Sequence, residues 1–146
     1  MKVLIQSFSY PQTGYPEDKT GKGGGFVFDC RAIDAYNYSI RENKDAPVGH
    51  FHLTGLDIQI SNVLDNDEET QRFFQAAWTM VSLDIAKCLR RGFLVMTVNF
   101  GCTAGQHRSV YLAERMRRKI EEIFPEVELE LNHLEREDWP NKEKGA

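Results

Sequence analysis

A strand-like segment, a loop of small residues and a helical pattern follow one another between residues 93 and 123. The apolar segment Phe93–Phe100 precedes a loop that reads Cys-Thr-Ala-Gly-Gln-His-Arg-Ser over residues 102–109, and the helical pattern runs from Ser109 to Ile123. In such a unit the N–H groups of the loop and of the first helical turn point toward one spot, where the helix dipole favours negative charge. We therefore predict an anion site for phosphate or carboxylate in the 101–109 loop.

Arg108 strengthens this prediction because it stands where the helix begins. Its planar guanidinium can donate to two phosphate oxygens at once. The predicted phosphate-binding residues are the consecutive members of the loop: Gly101, Cys102, Thr103, Ala104, Gly105, Gln106, His107, Arg108 and Ser109.

The rest of the chain places this loop in an α/β fold. Further strands are predicted at Val3–Phe8, Phe26–Arg31 and Val127–Leu131, and a long helix from caps at Asp65–Asp67 to about Leu89. Strands that alternate with helices indicate a single α/β domain over residues 1–146, of the three-layer type, with a mainly parallel or mixed sheet flanked by helices. Ligands of such sheets bind beyond the carboxyl ends of the strands, where the 101–109 loop lies.

Two segments are predicted to lie outside this core. Residues 11–25 are rich in proline, glycine and lysine and end in Gly21-Lys-Gly-Gly-Gly25, which indicates a flexible loop. It is not a nucleotide-binding P-loop, because a strand rather than a Gly-Lys-Ser/Thr helix start follows the glycines. Residues 135–146 are expected to form a charged, frayed tail.

Composition excludes several classes of function. The net charge of −4 argues against bulk attraction to nucleic acid or anionic membranes. The three cysteines have neither disulfide-framework nor zinc-site spacing, so reduced thiols and no metal or other cofactor are expected. The N-terminal apolar run is too short for a signal peptide and no segment suits a membrane span, which predicts a cytoplasmic protein.

The loop fits two kinds of function. In the first, Cys102-x5-Arg108 has the spacing of cysteine-dependent phosphatases, with Cys102 as nucleophile and Asp29, Asp34 or Asp57 as candidate acids. In the second, the same loop holds a phosphorylated ligand without cleaving it, and Cys102 is a small buried residue at the end of a strand. The second interpretation, which is not enzymatic, is the one we favour from the residues.

A longer string of residues resembles one known family. Val98–Arg115 closely resembles the C-terminal domain of the RNase adapter protein RapZ family. The other matching segments occur in the same order along the chain: Ser7-Phe-Ser-Tyr10, Val27-Phe-Asp-Cys-Arg31, Thr54-Gly-Leu-Asp57 and His133. The chain looks like a stand-alone version of that domain, without the family's N-terminal P-loop nucleotide-binding domain. A separate nucleotide-binding protein is a candidate partner.

The resemblance implies a regulatory module that senses an amino-sugar phosphate, glucosamine-6-phosphate, and binds a small regulatory RNA. By position, Thr103, Ala104, Gly105, His107 and Arg108 would surround the phosphate. A second group would contact the sugar or shape the pocket: Asp29, Arg31, Thr54, Gly55 and Asp57.

Three departures bear on this implication. Ala104 stands where the family has glycine, and the segment after Arg31 lacks the family's Asn-Pro turn. The chain is acidic after Leu134, where the family is basic, so RNA stays a weaker alternative to the phosphorylated small molecule. A homo-oligomer stays open.

Overall fold

The computed structural model describes residues 1–21, 25–37 and 50–140. Four parallel strands form one sheet in the order β2-β3-β1-β4. Their bounds are β1 Lys2–Ser9, β2 Phe26–Asp29, β3 Val95–Cys102 and β4 Glu128–His133. The predicted α/β class with a parallel sheet is confirmed.

Three helices accompany the sheet: α1 Ile58–Asp65, α2 Glu68–Arg91 and α3 Arg108–Ile123. Short 3-10 turns span His50–His52 and Arg136–Asp138. The sequence pattern did not predict α1, because it has only two buried residues, Ile60 and Leu64, on which a helical period could be recognised. Among the helices of the described residues, none is long and apolar enough to cross a bilayer.

The helices pack against one face of the sheet. The core joins alternate residues of β1 and β3, such as Ile5 and Val98, to α2 and α3. The steps from β2 to β3 and from β3 to β4 run in the same direction across the sheet, so right-handed crossovers place their helices on the same face. The described residues therefore form one helical layer, where the three-layer prediction had two.

The opposite face of the sheet is more polar. Gln6, Thr97 and Asn99 lie there and line a cavity together with residues 16–18 and Gly25 of the predicted flexible loop. The first turn of that loop is tied to β1, because the Gly14 N–H donates to the Ser9 carbonyl. Residues 22–24 of its glycine run lie outside the described residues.

The start of α2 confirms one predicted helix cap. Asp67 is the N-cap, and its carboxylate accepts from the Thr70 N–H at 3.0 Å and from the Thr70 hydroxyl at 2.6 Å. Asp67→Ala leaves that N–H without its acceptor, and we expect a loss of about 1 kcal/mol in the free energy of unfolding. Urea denaturation measures this, with Asp67→Asn as the matched control that keeps an acceptor oxygen. Equal losses in both variants would contradict the capping role.

Candidate functional site

The 101–109 loop connects the carboxyl end of β3 to the first residue of α3. β3 ends at Cys102, two residues later than predicted, and α3 begins at Arg108, one residue earlier. His107 is the N-cap of α3, and its side chain makes no capping hydrogen bond. The N-terminus of a long helix thus faces the turn of the loop, and its first N–H groups have no acceptor within the helix. This is the local arrangement that the sequence predicted.

Gly105 sets the shape of the turn. Its φ of 64° lies in the left-handed region, which favours glycine. A Cβ at this position would lie 2.7 Å from the Glu135 side chain and 3.1 Å from the backbone of Phe8 and Ser9. The turn can therefore pack against the end of β1 only because this residue is glycine.

The predicted charged tail begins with residues that hold this turn in place. Glu135 is 3% exposed, and its carboxylate accepts from the Ser9 N–H and the Thr13 hydroxyl. The Trp139 indole N–H donates to the Gly105 carbonyl at 3.0 Å. The prediction of a frayed tail from Glu135 was wrong over residues 135–140, because burial of Trp139 and the carboxylate bonds fix this segment. Residues 141–146 lie outside the described part of the chain.

The Cys102 sulfur sits inside the loop. It is 2% exposed, accepts from the Gly105 N–H at 3.3 Å, and its S–H donates to the Ser109 hydroxyl oxygen at 3.1 Å. Cys102 is thereby joined to the turn and to the start of α3. Cys30, Cys88 and Cys102 are all free thiols, as predicted.

Arg108 is buried and joins the loop to the chain that follows β2. It is only 3% exposed, and its guanidinium donates to the carbonyl oxygens of Arg31 at 3.2 Å and Ile33 at 2.7 Å. Both bonds come from a single terminal nitrogen, Nη1. The side chain also borders the cavity described below, so it has a structural role in addition to any contact with an anion.

His107 is buried beside Arg108 and stays neutral. Its Nε2–H donates to the His50 carbonyl at 3.2 Å, and its ring stacks on Tyr36 with centroids 5.0 Å apart. Burial lowers the pKa of His107 to about 4, and the hydrogen bond to the His50 carbonyl only partly offsets this. The imidazole is therefore an uncharged wall of the site at neutral pH.

This burial predicts a dependence of stability on pH. An unfolded histidine has a pKa of about 6.5, so below that pH the unfolded chain takes up a proton that folded His107 refuses. Stability should fall from pH 6.5 to pH 4, by about 2 kcal/mol at pH 5 from this residue. Urea denaturation of wild type and His107→Gln at pH 6.5 and at pH 4 isolates the effect. His52 is exposed, so His52→Gln is the control. If His107→Gln lost as much stability on acidification as wild type, the role of His107 would be contradicted.

A cavity of about 150 Å³ opens beside the loop. Six predicted loop residues line it: Cys102, Thr103, Ala104, Gln106, His107 and Arg108. Among the described residues, Tyr36, Asn37 and Phe51 also line it, and sequence reasoning did not find them. The sequence of residues 34–53 shows neither helical nor strand periodicity. Residues 38–49 of this segment lie outside the described residues. The aromatic rings of Tyr36 and Phe51 were the only sequence signal.

The other three loop residues lie behind this wall. Gly101 packs on aromatic rings, since an added Cβ would lie 2.4 Å from Phe8 and 2.5 Å from Tyr10. Gly105 faces Glu135, and the Ser109 hydroxyl faces Cys102. These residues support the loop, while the six lining residues border the open space.

Asp29 and Arg31 are paired with each other. The Arg31 guanidinium donates to the Asp29 carboxylate at 2.7 Å and lies over the Tyr10 ring, 3.9 Å from its centroid. The hydrogen bond from Arg31 lowers the pKa of Asp29. Both side chains are about half exposed, so the pair lies at the rim of the sheet and does not line the cavity.

Thr54, Gly55 and Asp57 form a turn beneath the start of α3. The Asp57 carboxylate accepts from the Thr54 N–H at 2.8 Å, and the Gly55 N–H donates to the Gln106 carbonyl at 2.8 Å. Gly55 is in such close contact with α3 that an added Cβ would lie 2.6 Å from the Tyr111 nitrogen. In this structure the three residues position the loop and do not line its cavity.

His133, which the resemblance also matched, lies at the end of β4 and outside the cavity wall. Its ring contacts the Ser7 hydroxyl at 2.6 Å and the Glu114 carboxylate at 3.2 Å. Burial raises the pKa of Glu114, but hydrogen bonds from His133 and Arg117 outweigh this and lower it. Within the described residues, no group of three His, Cys, Asp or Glu side chains is arranged to hold a metal ion.

Comparison with known proteins identifies the relatives of this site. A family model described as the RapZ C-terminal domain matches residues 1–137. The chain belongs to the RapZ C-terminal domain family. This match covers all four strands, the three α-helices and the whole 101–109 loop, and it confirms the resemblance seen in the sequence.

Individual relatives are named "Nucleotide-binding protein". One from Xanthomonas oryzae pv. oryzae is 31% identical over 128 residues, which is 87% of this chain and 40% of the relative. One from Halorhodospira halophila is 31% identical over 92% of this chain and 42% of its own length. One from Acidithiobacillus ferrooxidans is 33% identical over 81% of this chain and 35% of its own length. The chain thus spans about two fifths of the length of these relatives.

Proposed function

We propose that this chain is a regulatory adapter domain that binds a phosphorylated small molecule in the cavity beside the 101–109 loop. Membership of the RapZ C-terminal domain family supports the regulatory role. The cavity wall is the observation that supports a phosphorylated ligand. Loop residues, the N-terminus of α3 and the Arg108 side chain border one space there. N–H groups and a guanidinium are the donors that phosphate groups require.

The rest of the wall suits a sugar attached to the phosphate. The exposed Phe51 offers a ring face for the apolar C–H groups of a sugar, and the Asn37 amide can donate to or accept from its hydroxyls. Neutral His107 adds no charge to the site. The family resemblance implies an amino-sugar phosphate such as glucosamine-6-phosphate, and we adopt that as the first ligand to test.

A thermal-shift screen tests the ligand class. The panel holds inorganic phosphate, sulfate, hexose and hexosamine phosphates, and nucleotides, with unphosphorylated glucosamine as the matched control. A ligand at 100 times its Kd stabilises the folded state by about 2.7 kcal/mol, which a melting curve resolves. We expect stabilisation by a sugar phosphate and none by glucosamine. An equal shift with glucosamine, or no shift with any anion, would overturn the proposal.

A cysteine phosphatase is the alternative, and the surroundings of Cys102 favour it. An N–H donor from Gly105 and a hydroxyl from Ser109 both contact the sulfur, as the loop of a thiolate nucleophile requires. Two of the candidate acids are engaged elsewhere, Asp29 with Arg31 and Asp57 with the Thr54 N–H.

Cys102→Ser separates the two functions. Phosphate release from p-nitrophenyl phosphate and from hexosamine phosphates is measured for wild type and variant, alongside binding. Binding should survive the substitution in both cases. Turnover by wild type that disappears in Cys102→Ser would establish the phosphatase and remove the purely binding role. Absence of turnover in both proteins agrees with the adapter.

RNA is a lesser proposal for this chain. Arg117 on α3 is neutralised by Glu114 and Glu121, at 3.1 and 3.0 Å. RNA affinity depends on cations that are available to neutralise phosphates. A gel shift with labelled RNA at two salt concentrations tests it, and binding that weakens steeply with salt would support RNA as a partner.

A further inference from the structure

Cys30 and Cys102 occupy neighbouring positions on adjacent parallel strands. β2 pairs with β3 through Asp29 and Gly101, and the Cys30 N–H continues the ladder by donating to the Gly101 carbonyl at 2.7 Å. In a parallel ladder this bond places Cys30 directly beside Cys102. Neighbouring strands lie about 4.8 Å apart, inside the Cα separation of about 4.4–6.8 Å that disulfides span.

The two thiols also share one face of the sheet. Phe28 and Phe100, one alternation earlier on each strand, have rings stacked 5.3 Å apart. Side chains alternate along strands, so Cys30 and Cys102 point to that same face, and both belong to the same buried core. Burial raises the pKa of the Cys30 thiol, and the nearby Cys102 thiol group adds to this shift.

We propose that Cys30 and Cys102 are a redox modification site, at which peroxide forms a reversible intramolecular disulfide that weakens anion binding by the 101–109 loop. Cys102 borders the cavity, which gives a small oxidant a route to its sulfur. Cys30 has no exposed surface, so it acts as the resolving thiol.

The chemistry needs hydrogen peroxide and the two thiols alone. The Cys102 sulfur attacks one peroxide oxygen, the O–O bond breaks, and a sulfenic acid and one water result. The Cys30 sulfur then attacks the sulfenic sulfur, the S–O bond breaks, and the oxygen leaves as a second water. The two thiols lose two protons and two electrons in total, and one peroxide becomes two waters. A dithiol reductant reverses the reaction.

The disulfide would alter the loop at Cys102. A Cys102 sulfur bonded to Cys30 has no S–H to donate to the Ser109 hydroxyl, and its rotation toward Cys30 disturbs the contact with the Gly105 N–H. The same stretch after β2 accepts both Arg108 bonds, so the two sides of the cavity are coupled. The effect on binding rests on the proposed function, while the disulfide itself does not.

Mass spectrometry of the intact protein tests the bond without any ligand. Protein treated with peroxide and then alkylated should lose two hydrogens, take up one alkyl group at Cys88, and yield a peptide pair that joins Cys30 to Cys102. Cys30→Ser should abolish the linked pair, with Cys30→Ala as a second variant should serine disturb folding. Cys88→Ser, on α2, is the matched control and should keep the bond. Over-oxidation of Cys102 without a linked pair, or a bond to Cys88, would overturn the proposal.

Calorimetry with glucosamine-6-phosphate measures how the disulfide changes ligand affinity. We expect oxidised Cys88→Ser protein to bind about tenfold more weakly than its reduced form, with recovery on reduction. Unchanged binding by protein shown to carry the disulfide would overturn the regulatory part. Failure of the reduced protein to bind would instead refute the proposed function and leave the disulfide result intact.

Discussion

Replacing Arg108 with alanine should abolish binding of phosphate esters and also lower the stability of the fold. The guanidinium is the only charged side chain among the described residues that line the cavity. It also donates to two carbonyl oxygens, of Arg31 and Ile33. Each carbonyl left without its donor costs about 1–3 kcal/mol where it stays buried. Calorimetry measures the loss of binding, and urea denaturation measures the loss of stability.

Two controls separate these effects. Arg108→Lys keeps the positive charge but loses the planar fork, so it should bind phosphate weakly. Asp67→Ala loses stability at the start of α2, away from the loop, and should bind the ligand as wild type does. Full-affinity binding of a phosphate ester by folded Arg108→Ala would contradict the role of this residue.

Replacing Gly55 with alanine should disrupt the start of α3 and with it the site. The added Cβ would lie 2.6 Å from the Tyr111 nitrogen and 2.7 Å from the His107 carbonyl oxygen. Both are backbone atoms of the first helical turn, and they cannot relieve the overlap by a rotamer change as a side chain would. Overpacking of this kind costs about 1–3 kcal/mol, and here it also moves the N–H groups that face the ligand.

Gly92→Ala is the matched control for this substitution. Gly92 caps α2 in the left-handed region with a φ of 72°, and a Cβ there would meet nothing within 4 Å. It should lose about 1 kcal/mol through backbone strain alone and bind ligand normally. Urea denaturation and calorimetry compare the two variants. Wild-type stability and affinity in Gly55→Ala would show that α3 does not depend on this close contact.

The sequence predicted the parts of this molecule that local signals determine. The apolar run of β3, the small residues of the loop and the period of α3 all lie within a short stretch of chain, so their order predicted the strand, the turn and the helix. Most strand ends were displaced by one or two residues, because they depend on pairing partners. The shift of the end of β3 matters, since it makes Cys102 a strand residue with a fixed neighbour, Cys30.

Features that depend on distant partners could not be predicted in this way. Glu135 and Trp139 look like part of a charged tail until the ends of β1 and the Gly105 turn are placed beside them. Tyr36 and Phe51 lie in a segment without a period and join the cavity wall only through the fold. The burial of Arg108 against two backbone carbonyls likewise requires the neighbouring strand.

The central claim is that the 101–109 loop binds a phosphorylated small molecule, and an NMR titration of ¹⁵N-labelled protein with glucosamine-6-phosphate tests it most directly. Each backbone amide reports its own surroundings, so the spectrum locates the ligand as well as detecting it. We predict saturable shifts of the amides of residues 102–109 and of Tyr36, Asn37 and Phe51, with no comparable shifts on titration with glucosamine. Shifts confined to other parts of the chain, or none at all, would contradict the account.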